Sequence, residues 1–408
     1  MAVLKIVDVT EFYSERGGGV RSHLTTRGHV LRRLGHDHLA IAPGAGDDES
    51  ALAGPADESK PSCGRARVRR IRGPALPYDP TYHLLGRLDR LRAVVRAERP
   101  DVLEAHSPYL AAAGVIACGR RGPREEHARH GRAGARVRTA FWHADHVGTY
   151  AEPALRHVVG DRLAPTLVRP LWLAVRGMLA PFDAVFTGGL AQAGHLRAAG
   201  VPNVQYVPFG VDVRIFQPAA RSAARRHELV DGEREALLVG VGRFAVEKRW
   251  DVVLDAFEQV RARRPARLVL FGDGPEGERL KRRASPGVRF VGFERDRHRL
   301  ATALASADVV VHGCPYETFG LSIAEAVACA VPVVVPDQGG AGESRDPSCG
   351  ETYRSLDAAA CAAAILRLLE RDPSELRARA LAAAGQVPTA DAHFAQVLSV
   401  YDGLLRSC

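Results

Sequence analysis

Short apolar runs alternate with longer amphipathic ones along nearly the whole chain. In the first half, Leu4–Val9, Leu39–Ala42, Val68–Ile71, Asp101–Ala105, Val137–Trp142, Ala184–Thr187 and Val204–Val207 predict strands. Val20–Leu34, Tyr82–Ala97 and Leu190–Ala199 predict helices between them. After about residue 210 the alternation restarts, with strands at Ala236–Val241, Leu268–Phe271, Val288–Val291, Asp308–His312 and Val331–Val335. Helical patterns there fall near 250–263, 275–284, 297–305 and 321–329. Unalternated runs such as Val309-Val310-Val311, bounded by Gly, Pro or Asp, suit parallel strands covered on both faces. Repeated β-α alternation implies parallel sheets with right-handed crossovers. The two series predict an α/β chain of two doubly wound, Rossmann-like domains, residues 1–208 and 209–387, with the junction near Pro208–Pro218.

Length and composition agree. The chain has 408 residues, 46% hydrophobic and 25% charged, which suits a folded chain of two or three domains and argues against disorder. No stretch approaches the roughly 18–20 apolar residues of a spanning helix. The apolar start Met1–Asp8 is too brief for a signal peptide and reads as a buried strand. Seven cysteines without a Cys-x-x-Cys pair fit neither a disulfide framework nor a zinc site, so a cytoplasmic setting is expected.

The net charge of +9 lies wholly in the first half: residues 1–210 hold 29 Lys+Arg against 20 Asp+Glu, residues 211–408 hold 27 of each. One-sided basic charge favours phosphate-bearing partners: nucleic acid, anionic lipid or a phosphorylated acceptor. Nucleic acid is the weakest of these, since no zinc-finger spacing or aromatic RNP-like strand accompanies the charge. Two segments break the rhythm. Residues 119–138, with seven Arg and four Gly, read as a mobile basic loop. Residues 153–180 pair Leu167, Leu171, Trp172 and Leu173 with Arg156, Arg162, Arg169 and Arg176, a pattern suited to sheet packing or to a membrane surface.

Three motifs carry chemistry. Arg16-Gly17-Gly18-Gly19-Val20 between the first strand and first helix lets backbone N–H groups approach an anion, at a spacing that is neither a dinucleotide fingerprint nor a Walker loop. Gly242-Arg243-Phe244-Ala245-Val246-Glu247-Lys248 puts two cations five residues apart at the carboxyl end of a strand, where open α/β sheets bind ligands. A guanidinium and an ammonium aimed at one diphosphate would neutralise a leaving group without a metal. In Glu317-Thr318-Phe319-Gly320-Leu321-Ser322-Ile323-Ala324-Glu325, a helix starting near 319–321 turns Glu325 inward, where a carboxylate can accept from two ribose hydroxyls.

Together, Glu317-x7-Glu325, Arg243-x4-Lys248 and Gly18-Gly19-Val20 resemble the retaining glycosyltransferases of family 4, which have the GT-B fold of two domains facing across a cleft. Gly210-Val211-Asp212 with Phe216, Phe271-Gly272-Asp273-Gly274-Pro275 and Gly339-Gly340-Ala341-Gly342-Glu343 extend the match over most of the chain. Gly242–Lys248, Val291-Gly292-Phe293 and Asp296-Arg297 are most similar to actinobacterial phosphatidylinositol-mannoside mannosyltransferases, which use GDP-mannose. The resemblance implies an acceptor-binding first domain, a donor-binding second domain and a C-terminal helix, 388–408, crossing back to the first. It assigns Arg243 and Lys248 to the donor diphosphate, Glu325 to the ribose, and Glu317 to the transferred sugar. Gly18 and Gly19 would close over the diphosphate, and His143 would sit beside the sugar and reacting carbon. Gly242, Phe319, Gly320 and Leu321 complete the donor set.

No cofactor and no metal are expected. His143-x-Asp145-His146 offers metal-ligand types, but family members need no metal and an Asp-x-Asp signature is missing. His106, after the strand at 101–105, reads as a weaker pocket residue or a satisfied polar group. The expected activity is retaining, metal-independent transfer of a hexose, mannose favoured, to a hydroxyl of a glycolipid or saccharide, with peripheral contact to an anionic membrane and no nucleic acid. UDP-sugars follow GDP-mannose closely as donors. The alternatives are a UDP-sugar-dependent glucosyl or N-acetylglucosaminyl transferase, a GT-B epimerase or pyridoxal-phosphate phosphorylase (both disfavoured by Glu-x7-Glu), and a non-catalytic nucleotide-sugar binder.

Overall fold

A computed structural model describes residues 3–14, 18–52, 64–77, 79–121, 134–230 and 235–407. The chain divides into two compact units. The first runs to Pro208 and regains the chain from Ala390; the second is Phe209–Thr389.

In the first unit the strands are β1 (Lys5–Val9), β2 (Asp37–Gly44), β3 (Asp48–Ala51), β4 (Ala66–Arg72), β5 (Ala75–Leu76), β6 (Asp79–His83), β7 (Val102–Ala105), β8 (Val137–Trp142), β9 (Ala184–Thr187) and β10 (Val204–Tyr206). The helices are α1 (Gly19–Arg33), α2 (Leu88–Glu98), α3 (Leu110–Cys118), α4 (Glu152–Val159), α5 (Ala164–Leu179) and α6 (Leu190–Ala198). The main sheet has the order β10-β9-β8-β7-β1-β2-β4-β3, parallel throughout except for the antiparallel edge strand β3. Chain order reverses at β1, between β2 and β7, the switch point at which doubly wound sheets place ligands beyond their carboxyl ends.

The second unit holds β11 (Ala236–Val241), β12 (Ala266–Phe271), β13 (Val288–Gly292), β14 (Val309–Val311), β15 (Val333–Pro336) and β16 (Glu351–Tyr353). Its helices are α7 (Ala223–Leu229), α8 (Trp250–Arg261), α9 (Gly277–Arg283), α10 (Arg297–Ala305), α11 (Leu321–Ala328), α12 (Ala358–Glu370) and α13 (Pro373–Ala384). The sheet, β13-β12-β11-β14-β15-β16, is wholly parallel. Alternate residues of β11 enter opposite cores: Leu237 and Val239 join one cluster with Phe216 and Ile323, and Leu238 joins the other with Trp250 and Phe257. Burial on both faces is why this strand reads as an unbroken apolar run. The last helix, α14 (Ala390–Arg406), belongs to the first unit, where Phe394 packs on Val30.

The sequence reading differs in three places. Tyr82–Ala97 is not one helix: Tyr82 lies in β6, paired antiparallel with β5, and the helix begins only at Leu88 beyond Gly86. The 153–180 stretch is two helices, with Pro165 in the first turn of α5 and Pro170 inside it. Of the basic segment 119–138, Arg120 bridges Ala135 and Val137–Arg138 open β8; residues 122–133 lie outside the described residues.

Candidate active site

In the second unit the candidate residues gather beyond the carboxyl ends of β11 and β14. Gly242 follows β11 directly and donates its N–H to the Phe271 carbonyl. The loop after it is tied down by Trp250, whose indole N–H donates to the Arg243 carbonyl at 2.9 Å. The same loop ends in a short 3-10 turn, Val246–Lys248, that carries the lysine inward. The Lys248 ammonium meets the Glu317 carboxylate at 2.5 Å, and His312 Nε2 lies 3.1 Å from the same oxygen. Burial alone would lower the lysine's pKa; the Glu317 charge outweighs it and raises the value. Burial would likewise raise Glu317, but the Lys248 charge and the His312 contact hold it well below the usual carboxylate range. Both groups are therefore charged at neutral pH.

The second glutamate comes from α11. Gly320, at φ +82°, caps this helix in a left-handed conformation with Ala341 close by. Glu325 then lies inside its second turn, buried, with Oε1 accepting from Arg297 Nη2 at 2.8 Å. Burial raises the Glu325 pKa and the Arg297 charge opposes that rise. Arg297 is itself held over the Phe216 ring, 4.7 Å from its centroid. The Phe319 ring is committed to the core, edge-on to Phe209, so this residue offers a ligand its backbone; Leu321 is half-buried against the same core.

In the first unit, Gly18 precedes α1 as its cap and Gly19 is its first residue, both exposed; Arg16 and Gly17 lie outside the described residues. His143 follows β8, and its Nε2 lies 2.7 Å from Nδ1 of His106, which follows β7. His23 of α1 stands edge-on to His143, with ring centroids 4.9 Å apart, and His393 of α14 stands edge-on to His23. Burial, followed by the neighbouring His106 and Arg27, holds His143 well below its ordinary pKa.

The sequence pattern His143-x-Asp145-His146 does not converge. Asp145 Oδ1 accepts from the Gly148 N–H at 2.7 Å, and the His146 ring stacks on Phe12, 5.4 Å between centroids. His23, His106 and His143 do bring ring nitrogens within metal-ligand reach. The 2.7 Å separation of two of them is a hydrogen bond, shorter than the roughly 3.3 Å between tetrahedral ligands at about 2.0 Å from one zinc. His312, Cys314 and Glu317 form a similar group, but the Cys314 thiol is pushed up to about 12 by burial and Lys248 already holds the carboxylate. Sequence reasoning missed His312, His23 and His393. A lone histidine after Val311, or 250 residues away on another helix, carries no local signal.

Two parallel sheets with this order and ligand ends define the GT-B class of glycosyltransferases, and solved structures share the fold. Sucrose-phosphate synthase from Thermosynechococcus elongatus superposes with a TM-score of 0.73 at 20% identity, covering 99% of this chain and 100% of that one. HepE of Anabaena, solved with UDP and glucose, gives 0.68 at 18% identity, covering 97% and 100%. The profile described as Glycosyltransferase Family 4 matches residues 17–215, and that of Glycosyl transferases group 1 matches residues 235–371. A GDP-mannose-dependent alpha-(1-6)-phosphatidylinositol dimannoside mannosyltransferase of Mycobacterium tuberculosis is 33% identical over 337 residues, 81% of this chain and 79% of the relative. A GDP-mannose-dependent alpha-mannosyltransferase of the same organism is 30% identical over 342 residues, 83% and 81%. The chain belongs to the family 4, group 1 glycosyltransferases.

Proposed function

We propose that this enzyme transfers mannose from GDP-mannose, with retention and without a metal, to a hydroxyl of a phosphatidylinositol-type glycolipid. The observation that carries the reading is the pair of partly buried ion couples, Lys248–Glu317 and Arg297–Glu325, at the ligand end of one sheet. Charges at such depth are costly without a partner, and a dianionic diphosphate with a ribose is the ligand their types and spacing suit. Arg243 and Lys248 receive the diphosphate, and Gly242 with the Phe319–Leu321 backbone lines the donor. Arg297 takes one oxygen of Glu325, and the other accepts from the ribose hydroxyls. Glu317 orients both Lys248 and the transferred sugar. Gly18 and Gly19 supply backbone N–H groups to the diphosphate, and His143 accepts from a sugar hydroxyl beside the reacting carbon.

With Glu317 committed to Lys248 and Glu325 to Arg297, the acceptor hydroxyl attacks from the face that the diphosphate leaves. The new C1–O bond forms as the C1–phosphate bond breaks, and the hydroxyl proton passes to a leaving-phosphate oxygen. The two cations stabilise the charge that grows on the diphosphate. The names and identities of the mycobacterial relatives support GDP-mannose and a lipid acceptor.

A membrane-facing surface accompanies this chemistry. Leu163, Leu167 and Leu171 recur every four residues and are exposed, and Arg162, Arg169 and Arg176 are exposed on the other side of the same helix. A helix with an exposed apolar ridge and a separate row of guanidiniums suits the headgroup region of an anionic bilayer. No helix among the described residues is long and apolar enough to cross a membrane.

The test is a thermal-shift panel of GDP- and UDP-sugars, followed by turnover with the preferred donor and phosphatidylinositol mannoside in the presence of EDTA. Selective stabilisation by GDP-mannose and an α-linked product are expected. Preference for a UDP-sugar, a β-linked product or loss of turnover in EDTA would each overturn its part. Sedimentation with anionic liposomes at low and physiological salt tests the surface; no binding at either removes it.

A further inference from the structure

Beneath His143 lies a buried charge network that none of the donor chemistry uses. Asp8 of β1, Arg27 of α1, Glu104 and His106 at the end of β7, and Tyr401 of α14 are each 1% exposed or less. Arg27 spans the two carboxylates, with Nε 3.0 Å from Asp8 Oδ2 and Nη1 2.6 Å from Glu104 Oε1. Glu104 Oε2 accepts from Thr139 at 2.6 Å and from the Tyr401 hydroxyl at 2.7 Å. The Tyr401 oxygen in turn accepts from Arg27 Nη2 at 2.7 Å, and His38 Nε2 lies 2.7 Å from Asp8. The one imidazole in this network that also reaches the active site is His106.

Its two nitrogens face different neighbours. Nε2 lies 3.4 Å from Asp8 Oδ1 and 3.3 Å from Glu104 Oε1. Neither approach is an aligned hydrogen bond, but two carboxylate charges beside this buried nitrogen favour hydrogen on it over a lone pair. In a neutral imidazole, Nδ1 is then the lone pair. Nδ1 lies 2.7 Å from His143 Nε2, and one hydrogen joins the two rings, donated by His143. His106 is fully buried, its ring parallel to Phe141 within 6° and its backbone N–H donating to the Val9 carbonyl at 2.8 Å. The donors from Arg27, Thr139, Tyr401 and His38 spread the remaining negative charge over both carboxylates.

We infer that His106 is a positioning residue: the charges of Asp8 and Glu104 set its tautomer, and through its 2.7 Å bond it fixes His143 as the Nε2–H tautomer, which puts the lone pair on Nδ1. The inference rests on the proposed place of His143 beside the transferred sugar. The other groups around His143 are His23 from α1, His393 from α14, Phe141 from β8, and the more distant charges of Arg27 and Asp8.

The test compares His106→Leu, His106→Asn and His143→Ala in the full chain, with turnover and 15N NMR of the His143 ring. His106→Leu should lower kcat about 10–100-fold with KM for the donor changed less than about twofold, and should leave His143 a tautomer mixture. His106→Asn, whose Oδ1 can accept in place of Nδ1, should recover most of the lost kcat and keep the Nε2–H tautomer. A folded His106→Leu with normal kcat, or an unchanged His143 tautomer, overturns the inference. If His106→Leu does not fold, the wild-type spectrum decides, since a His143 ring protonated at Nδ1 is incompatible with the inferred bond. Normal turnover by His143→Ala would instead overturn the role of His143, leaving the NMR result to judge the coupling alone.

Discussion

Lys248 and Glu317, 69 positions apart, meet at 2.5 Å with each side chain about one-fifth exposed. The lysine is thus held before any donor arrives, and its charge is balanced within the protein. Lys248→Ala should lower kcat/KM at least about 100-fold, the scale of losing one preorganised donor to a developing anion. It should also cost about 1–3 kcal/mol of stability by leaving Glu317 to His312, a discount on the cost of halving a fully buried pair. Urea melts of Lys248→Ala, Glu317→Gln and the double variant check this: coupling below about 0.5 kcal/mol would show the pair to be incidental.

Acid should loosen the first unit. Burial holds His393 at about 4, against an unfolded value near 6.5, and lowers His23 and His143 in the same direction. Between those limits the unfolded chain binds more protons, so stability is complete above about pH 6.5 and falls as pH drops toward 4. Each such histidine contributes a slope of about 1.4 kcal/mol per pH unit inside the window. His393→Asn, which retains a donor toward the Pro208 carbonyl now 2.9 Å from Nδ1, should melt with a shallower pH dependence than wild type.

Gly340→Ala should disable the site from behind. A Cβ there would lie 2.3 Å from the Thr318 carbonyl, and the Gly340 N–H donates to the Glu317 carbonyl at 2.5 Å. The Glu317–Thr318 backbone must then shift, carrying the Lys248 partner with it. The expected result is at least about a tenfold rise in donor Kd, read by titration calorimetry, from a displacement of about an ångström.

Tyr401→Phe removes one hydroxyl that bridges Arg27 and Glu104. The two charges lose a shared hydrogen-bonding partner while the ring volume stays, so the expected cost is about 1–3 kcal/mol. Chemical denaturation followed by fluorescence measures it, and a neutral substitution would mean that water replaces the hydroxyl.

The second sheet was the most legible part of the sequence, because Val309–Val311 and Val333–Val335 are buried on both faces and advertise it as unbroken apolar runs. The short strands β3, β5 and β6 were not legible. Asp48–Ala51 is wholly exposed, and Tyr82 and His83 sit where an amphipathic count merges them with α2. In the site, Glu317, Glu325 and Lys248 stood out because charged residues occur among apolar or glycine-rich neighbours. Arg27 did not: on α1 it looks like one more solvated arginine, and only Asp8, Glu104 and Tyr401, brought in by three other elements, bury it. His106 read as a weaker pocket residue or a satisfied polar group at a strand end, and the fold adds that its partner is His143.

The placement of α14 has a consequence for synthesis on the ribosome. Tyr401 is made after all 181 residues of the intervening unit, from Phe209 to Thr389, yet it completes the polar cluster around Arg27. Until then the nascent amino-terminal sheet carries a guanidinium and two carboxylates whose covering helix does not yet exist. Its final consolidation must therefore wait until α14 has emerged.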